Sequence, residues 1–171
     1  MLMMAPVAQA QTSVVGSPSG ASTISGVIGV FGFRFTVGAS DLSVTSLGAY
    51  DWSTSSDNQN IEVTIYSTAG VSIVTDTVAT GSNTLVGDYR FVTLDSPTTL
   101  TAGVSYDLLM YYEQDESRML WNGASASYDT AITFVSSLSL TNSGNVHTTG
   151  NEHGGLAPHF PNRRPTRRSS D

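Results

Sequence analysis

From Phe31 to Val37 the chain alternates with a period of two: Phe31, Phe33, Phe35 and Val37 fall on one side, Gly32, Arg34 and Thr36 on the other. Successive side chains of an extended strand point to opposite faces, whereas an amphipathic helix needs apolar residues three and four apart. The stretch is therefore expected to be a half-buried strand. The same alternation returns at Ile61, Val63 and Ile65, and Thr68-Ala69-Gly70 is a turn signal leading into VSIVTDTVA, which makes this the clearest hairpin of the chain. In LSVTSLGAY the apolar positions Leu42 and Val44 resume out of phase at Leu47 and Ala49. A β-bulge near Thr45 and Ser46 would keep both halves facing one core.

VSYDLLMYYE carries large apolar residues in both alternating series, the mark of a central strand covered on both faces. YRFVTLD is read as a further strand, Pro97 and Gly103 as brackets of a connection, and Met119 to Trp121 with AITFVSSLSL as the last strands before a Gly- and Asn-rich, loop-like stretch, TNSGNVHTTGNEHGG. About eight short strands at intervals of roughly ten residues predict an all-β fold, an antiparallel β-sandwich of jelly-roll-like type. No fixed-period repeat is present, which removes solenoids and propellers.

Composition explains how such a chain stays soluble. Charged residues make up only 12%, while 25 Ser and 21 Thr supply hydroxyls, a mixture that favours strands over helices. All seven cations are Arg, and Arg163, Arg164, Arg167 and Arg168 stand in the last nine residues. Residues 1–162 thus hold three Arg against thirteen Asp and Glu, a net of −10. So acidic a body repels phosphate backbones and anionic lipid, which argues against nucleic acid as a partner of the domain.

The four segments expected are a signal-peptide remnant at 1–10, a flexible Ser/Gly-rich lead-in at 11–26, the sandwich at 27–160 and a disordered Arg-rich tail at 161–171. Ala8-Gln9-Ala10 has the small-x-small form of a signal-peptidase site, with the start of the signal expected upstream. A short edge strand is expected at Thr23 to Ile24, and GGLAPHF at 154–160 as a closing strand. No run reaches the roughly 18 apolar residues of a membrane span. Without Cys, an exported chain has to draw its stability from the core.

The segments GFRFTVGASDLSVTSLGAYD, IEVTIYSTAGVSIVTDTV and YRFVTLDSPTTLTAGVSYDLLMYY, in that order, resemble exported β-sandwich modules of bacterial surface proteins, many of which precede a PEP-CTERM sorting signal. The resemblance spans about residues 30–113 and rests on turn and core positions, so it implies fold and export to the cell surface or the extracellular medium but no chemistry. The chain departs from the sorted members at its end, which has neither a Val-Pro-Glu-Pro motif nor a hydrophobic helix.

No nucleophile motif or base and acid set converges, and no catalytic residue is assigned. His147, His153 and His159 have a spacing that matches no standard zinc pattern and read as solvated loop residues. In DWSTSSDNQNIE, Asp51, Asp57, Asn58, Asn60 and Glu62 offer hard oxygens suited to calcium; the competing reading is a solvated Asx-rich loop that ends two strands. Tyr50, Trp52, Tyr111 and Trp121 are candidates for stacking on sugar rings, with Tyr128 near the second group; each also suits the rim of a core. The expected role is non-catalytic: a structural or adhesive module that binds extracellular glycan weakly or packs on other copies. Two alternatives stand beside it, a filament or surface-layer subunit built by strand addition through residues 11–26, and a jelly-roll hydrolase or lyase using carboxylates such as Asp107 and Glu113.

Overall fold

The alternating phenylalanines form the centre of the molecule. A computed structural model describes residues 22–24, 29–50, 60–79, 81–87, 89–112, 119–121, 129–140 and 146–149. Strand β2 (Gly29–Val37) carries them, with Phe35 and Val37 buried and Phe31 and Phe33 packed against the same cluster. In chain order the remaining strands are β1 (Ser22–Ile24), β3 (Leu42–Tyr50), β4 (Asn60–Ser67), β5 (Ser72–Ala79), β6 (Thr84–Val86), β7 (Tyr89–Leu100), β8 (Ser105–Tyr112), β9 (Met119–Trp121), β10 (Ile132–Leu140) and β11 (Val146–Thr149). No helix occurs among the described residues, hence none long and apolar enough to cross a membrane.

A six-stranded sheet in the order β11-β10-β2-β8-β4-β5 faces a three-stranded sheet in the order β3-β7-β6, and β1 and β9 form a separate pair. Every strand pairing among the described residues is antiparallel. One core joins the two large sheets: Phe35, Val37, Ile61, Val63, Ile65, Val78, Tyr106, Tyr112 and Ile132 from the first meet Leu47, Ala49 and Leu100 from the second. This is the all-β antiparallel sandwich that the alternation predicts. The β4–β5 hairpin closes through Thr68-Ala69-Gly70, where the Gly70 N–H donates to the Ser67 carbonyl at 2.9 Å and Gly70 has φ of 81°.

The expected bulge is present: the β3–β7 register slips between Val44 and Ser46, so Leu47 and Ala49 return to the core face. On β7 the same slip absorbs Leu94 to Pro97, and the strand runs through Pro97 to Leu100 instead of ending before it. Strand β8 lies between β2 and β4, as a strand covered on both faces must, with Tyr106 and Tyr112 buried inward and Asp107 and Leu109 buried outward. The Tyr106 phenol oxygen accepts the Thr101 N–H at 3.0 Å, so the buried hydroxyl is satisfied.

Two features differ from the sequence expectation: strand β6 occupies a stretch expected to be a breaker, and β11 takes His147 out of the expected loop and sets it opposite Ser139. The short strand expected at Thr23 to Ile24 is present as β1, paired with β9 of its own chain. The expected closing strand at 154–160, the signal remnant and the tail lie outside the described residues.

Candidate functional site

The direction of each side chain on the small sheet follows from its register. Leu47 and Ala49 face the core, so Ser46, Gly48 and Tyr50 face outward, and the opposite residues Thr93, Phe91 and Tyr89 face outward with them. Tyr50 and Tyr89 stand directly across the strands with ring centroids 5.6 Å apart and planes at 86°, and Tyr89 lies 6.3 Å from Phe91 at 44°. Phe91 occupies the space over Gly48: a Cβ there would come within 2.5 Å of the ring. On the far side, Thr84 faces Phe91 and Val86, 57% exposed, faces Tyr89. The result is a half-buried row of three aromatics bordered by the hydroxyls of Ser46, Thr84 and Thr93, with no charged side chain among the described residues at these outward paired positions; exposed Asp95 lies two residues beyond Thr93 on β7. Arg90 has the opposite parity, and its Nη1 donates to the Asn83 carbonyl at 2.8 Å.

The outer face of the large sheet is different in kind. Arg34 and Asp107 are opposite one another and form two parallel hydrogen bonds, Nε to Oδ1 at 2.7 Å and Nη2 to Oδ2 at 2.9 Å. The bond to Asp107 raises the Arg34 pKa above the usual arginine value against the opposing cost of burial. Tyr66 faces Asp107 from β4, and burial pushes its phenol up from the ordinary value, opposed by a hydrogen bond with Thr64 and reinforced by the charge of Glu62. Tyr111 lies between Val30 and Glu62 in the same face. A carboxylate bonded through both oxygens to one guanidinium is poorly placed to trade protons with a substrate.

Among the sugar-stacking candidates, Tyr50 ends β3 on the outer face of the small sheet and Tyr111 lies on the outer face of the large one, so the two stand on opposite sides of the sandwich. Trp121 ends β9, opposite Ser22; Trp52 and Tyr128 lie outside the described residues. From the oxygen-rich set, Asn60 and Glu62 are exposed on the outward parity of β4, while Asp51, Asp57 and Asn58 lie outside the described residues. Among the described residues no group of three or more His, Cys, Asp or Glu is arranged to hold a metal ion. Glu113, His153 and His159 also lie outside the described residues.

Sequence reasoning missed Tyr89 and Phe91. The available signal was a pair of patterns, Gly48-Ala49-Tyr50 in one strand and Tyr89-Arg90-Phe91 in its partner, each placing two residues on one face. The chain matches no protein family, no curated protein and no solved structure.

Proposed function

We propose that the chain is a non-catalytic, exported β-sandwich module with a structural or adhesive role at the bacterial cell surface or in extracellular matrix, and that it holds neutral glycan weakly through Tyr50, Tyr89 and Phe91. The observation that carries this reading is the aromatic row itself, Tyr50, Tyr89 and Phe91, with hydroxyls and no charged residue at the paired positions beside it. Sugar rings present flat C–H faces to aromatic rings and hydroxyls to polar neighbours, whereas an anionic or cationic partner would call for compensating charge. Export is supported by the Ala8-Gln9-Ala10 pattern, by the hydroxyl-rich, lysine-free composition and by the resemblance to modules of bacterial surface proteins.

The test is affinity electrophoresis against a panel of neutral and acidic polysaccharides. Retardation by a neutral polymer is expected, weakened about threefold to tenfold in Tyr89→Ala and in Phe91→Ala, the equivalent of about 0.5–1.5 kcal/mol for one aromatic contact. A folded protein that no neutral polymer retards would overturn the reading.

Calcium is a further proposal for residues 51–62, supported by the hard oxygens of Asp51, Asp57, Asn58, Asn60 and Glu62. It requires that EDTA lower the melting temperature and that Asp57→Ala abolish the effect. The hydrolase alternative loses support from Asp107, whose two oxygens are both bonded to Arg34. Strand addition meets an obstacle at three of the four edges of the two larger sheets: β6 and β11 are three and four residues long, and β3 is interrupted by its bulge.

A further inference from the structure

Strand β5 (Ser72–Ala79) is the long edge of the large sheet, and among the described residues it pairs with β4 alone. Its sequence, SIVTDTVA, has five β-branched residues, one charge, and neither Pro nor Lys, the make-up of a strand that templates another chain. In an antiparallel ladder alternate residues turn both backbone groups away from the partner strand. Ala79 is such a residue: its N–H donates to the Asn83 Oδ1 at 3.0 Å and its carbonyl accepts the Ser82 and Asn83 amides at 3.2 and 2.9 Å. By alternation Thr77 and Thr75 also face the open edge. The Thr77 N–H donates to the Asp76 Oδ1 at 2.7 Å. Two successive edge donors are therefore taken by side-chain oxygens of the chain itself. Toward the other end the register steps from Ile65 opposite Val74 to Tyr66 opposite Ser72, which leaves Ile73 as a bulged residue.

We propose that Asp76 and Asn83 are edge plugs that keep a second copy of this chain from pairing along β5. The excluded partner is a second copy because the strand is self-complementary in the antiparallel sense. A two-fold axis at Thr75 sets Ile73 opposite Thr77 and Val74 opposite Asp76, which brings β-branched side chains together without opposing like charges. The rungs on either side of that axis join Thr77 to Ile73, and both of those positions are blocked, one by the Asp76 carboxylate and the other by the bulge. Asn83 closes the next donor, and the Asp76 charge makes burial of the edge costly. This inference is independent of the carbohydrate reading.

The experiment is sedimentation of the wild type and of Asp76→Ala/Asn83→Ala across a concentration series. The double variant is expected to self-associate at least about tenfold more tightly, the equivalent of about 1.4 kcal/mol. The chain has no Cys, so Thr75→Cys adds a single reporter, expected to cross-link to itself in the double variant and not in the plugged chain. A folded double variant that sediments as the wild type does, or equal cross-linking with and without the plugs, would overturn the proposal. Should the double variant not fold, amide exchange in the wild type decides: Thr77 and Ala79 are expected to exchange more slowly than Thr75, and equal rates refute the plugs.

Discussion

Arg34 and Asp107 face each other across β2 and β8 and share two parallel hydrogen bonds, although Asp107 is only 4% exposed and the Arg34 side chain is 34% exposed. The pair places a charged carboxylate in the middle of the large sheet, where Leu109 and Leu138 are also buried on the outward parity. Both arginines among the described residues thus hold acceptors of their own chain, Arg34 the Asp107 carboxylate and Arg90 the Asn83 carbonyl.

Arg34→Met should destabilise the fold by about 1–3 kcal/mol, because it leaves Asp107 buried without its cation while half of the lost pair was solvent-screened. Arg34→Met/Asp107→Leu removes both charges and should recover most of that loss. Urea denaturation of the wild type, the two single variants and the double variant gives the coupling directly. A double variant no more stable than either single one would mean that the pair does not act as a unit.

The strands were legible where period-two patterning was long: Phe31 to Val37, the Ile61 to Ile65 hairpin arm and the phase slip at Thr45 each map onto an observed element. Strand β6 was not, since Thr84-Leu85-Val86 is too short for a periodic signal. In the sequence Pro97 marks a boundary, because proline lacks a ladder donor. Its strand continues because Pro97 lies within the Leu94 to Pro97 slip, where no residue of β3 is paired with it. The aromatic row was half legible for a related reason. Tyr50 stood out as a single residue, but which residues face it depends on cross-strand register, and composition carries no register.

Three glycines should respond to alanine in three ways. At Gly32 a Cβ would collide with the Leu108 carbonyl and lie 2.9 Å from the Leu109 Cα, both backbone, so Gly32→Ala should cost about 2–4 kcal/mol. Gly103 has φ of 72° with open space around it, so Gly103→Ala should cost only about 1 kcal/mol, and Gly103→Asn less. At Gly48 the obstacle is the Phe91 ring, which can turn, so Gly48→Ala should cost less than Gly32→Ala. Melting curves of the three variants check the order, and a Gly32→Ala protein as stable as Gly103→Ala would contradict the packing argument.

Alkaline stability depends on Tyr112, which is 3% exposed, packs edge-on to Phe31 at 6.1 Å and donates its hydroxyl to the Met110 Sδ at 3.8 Å. Burial pushes this phenol well above its ordinary value of 10. The folded chain therefore keeps the proton to higher pH than the unfolded chain does. Its contribution to stability is complete below about pH 10 and is lost as pH rises from there toward the folded-state value, because the unfolded chain ionises first. The urea midpoint should fall above about pH 10, with a slope of up to about 1.4 kcal/mol per pH unit from this group. Tyr112→Phe should flatten that slope while costing less than about 1 kcal/mol at neutral pH, since the hydroxyl gives up only a weak sulfur acceptor. Tyr66→Phe should flatten it less, because Tyr66 is only half-buried. An unchanged slope in Tyr112→Phe would show that the phenol ionises as readily in the folded chain as in the unfolded one.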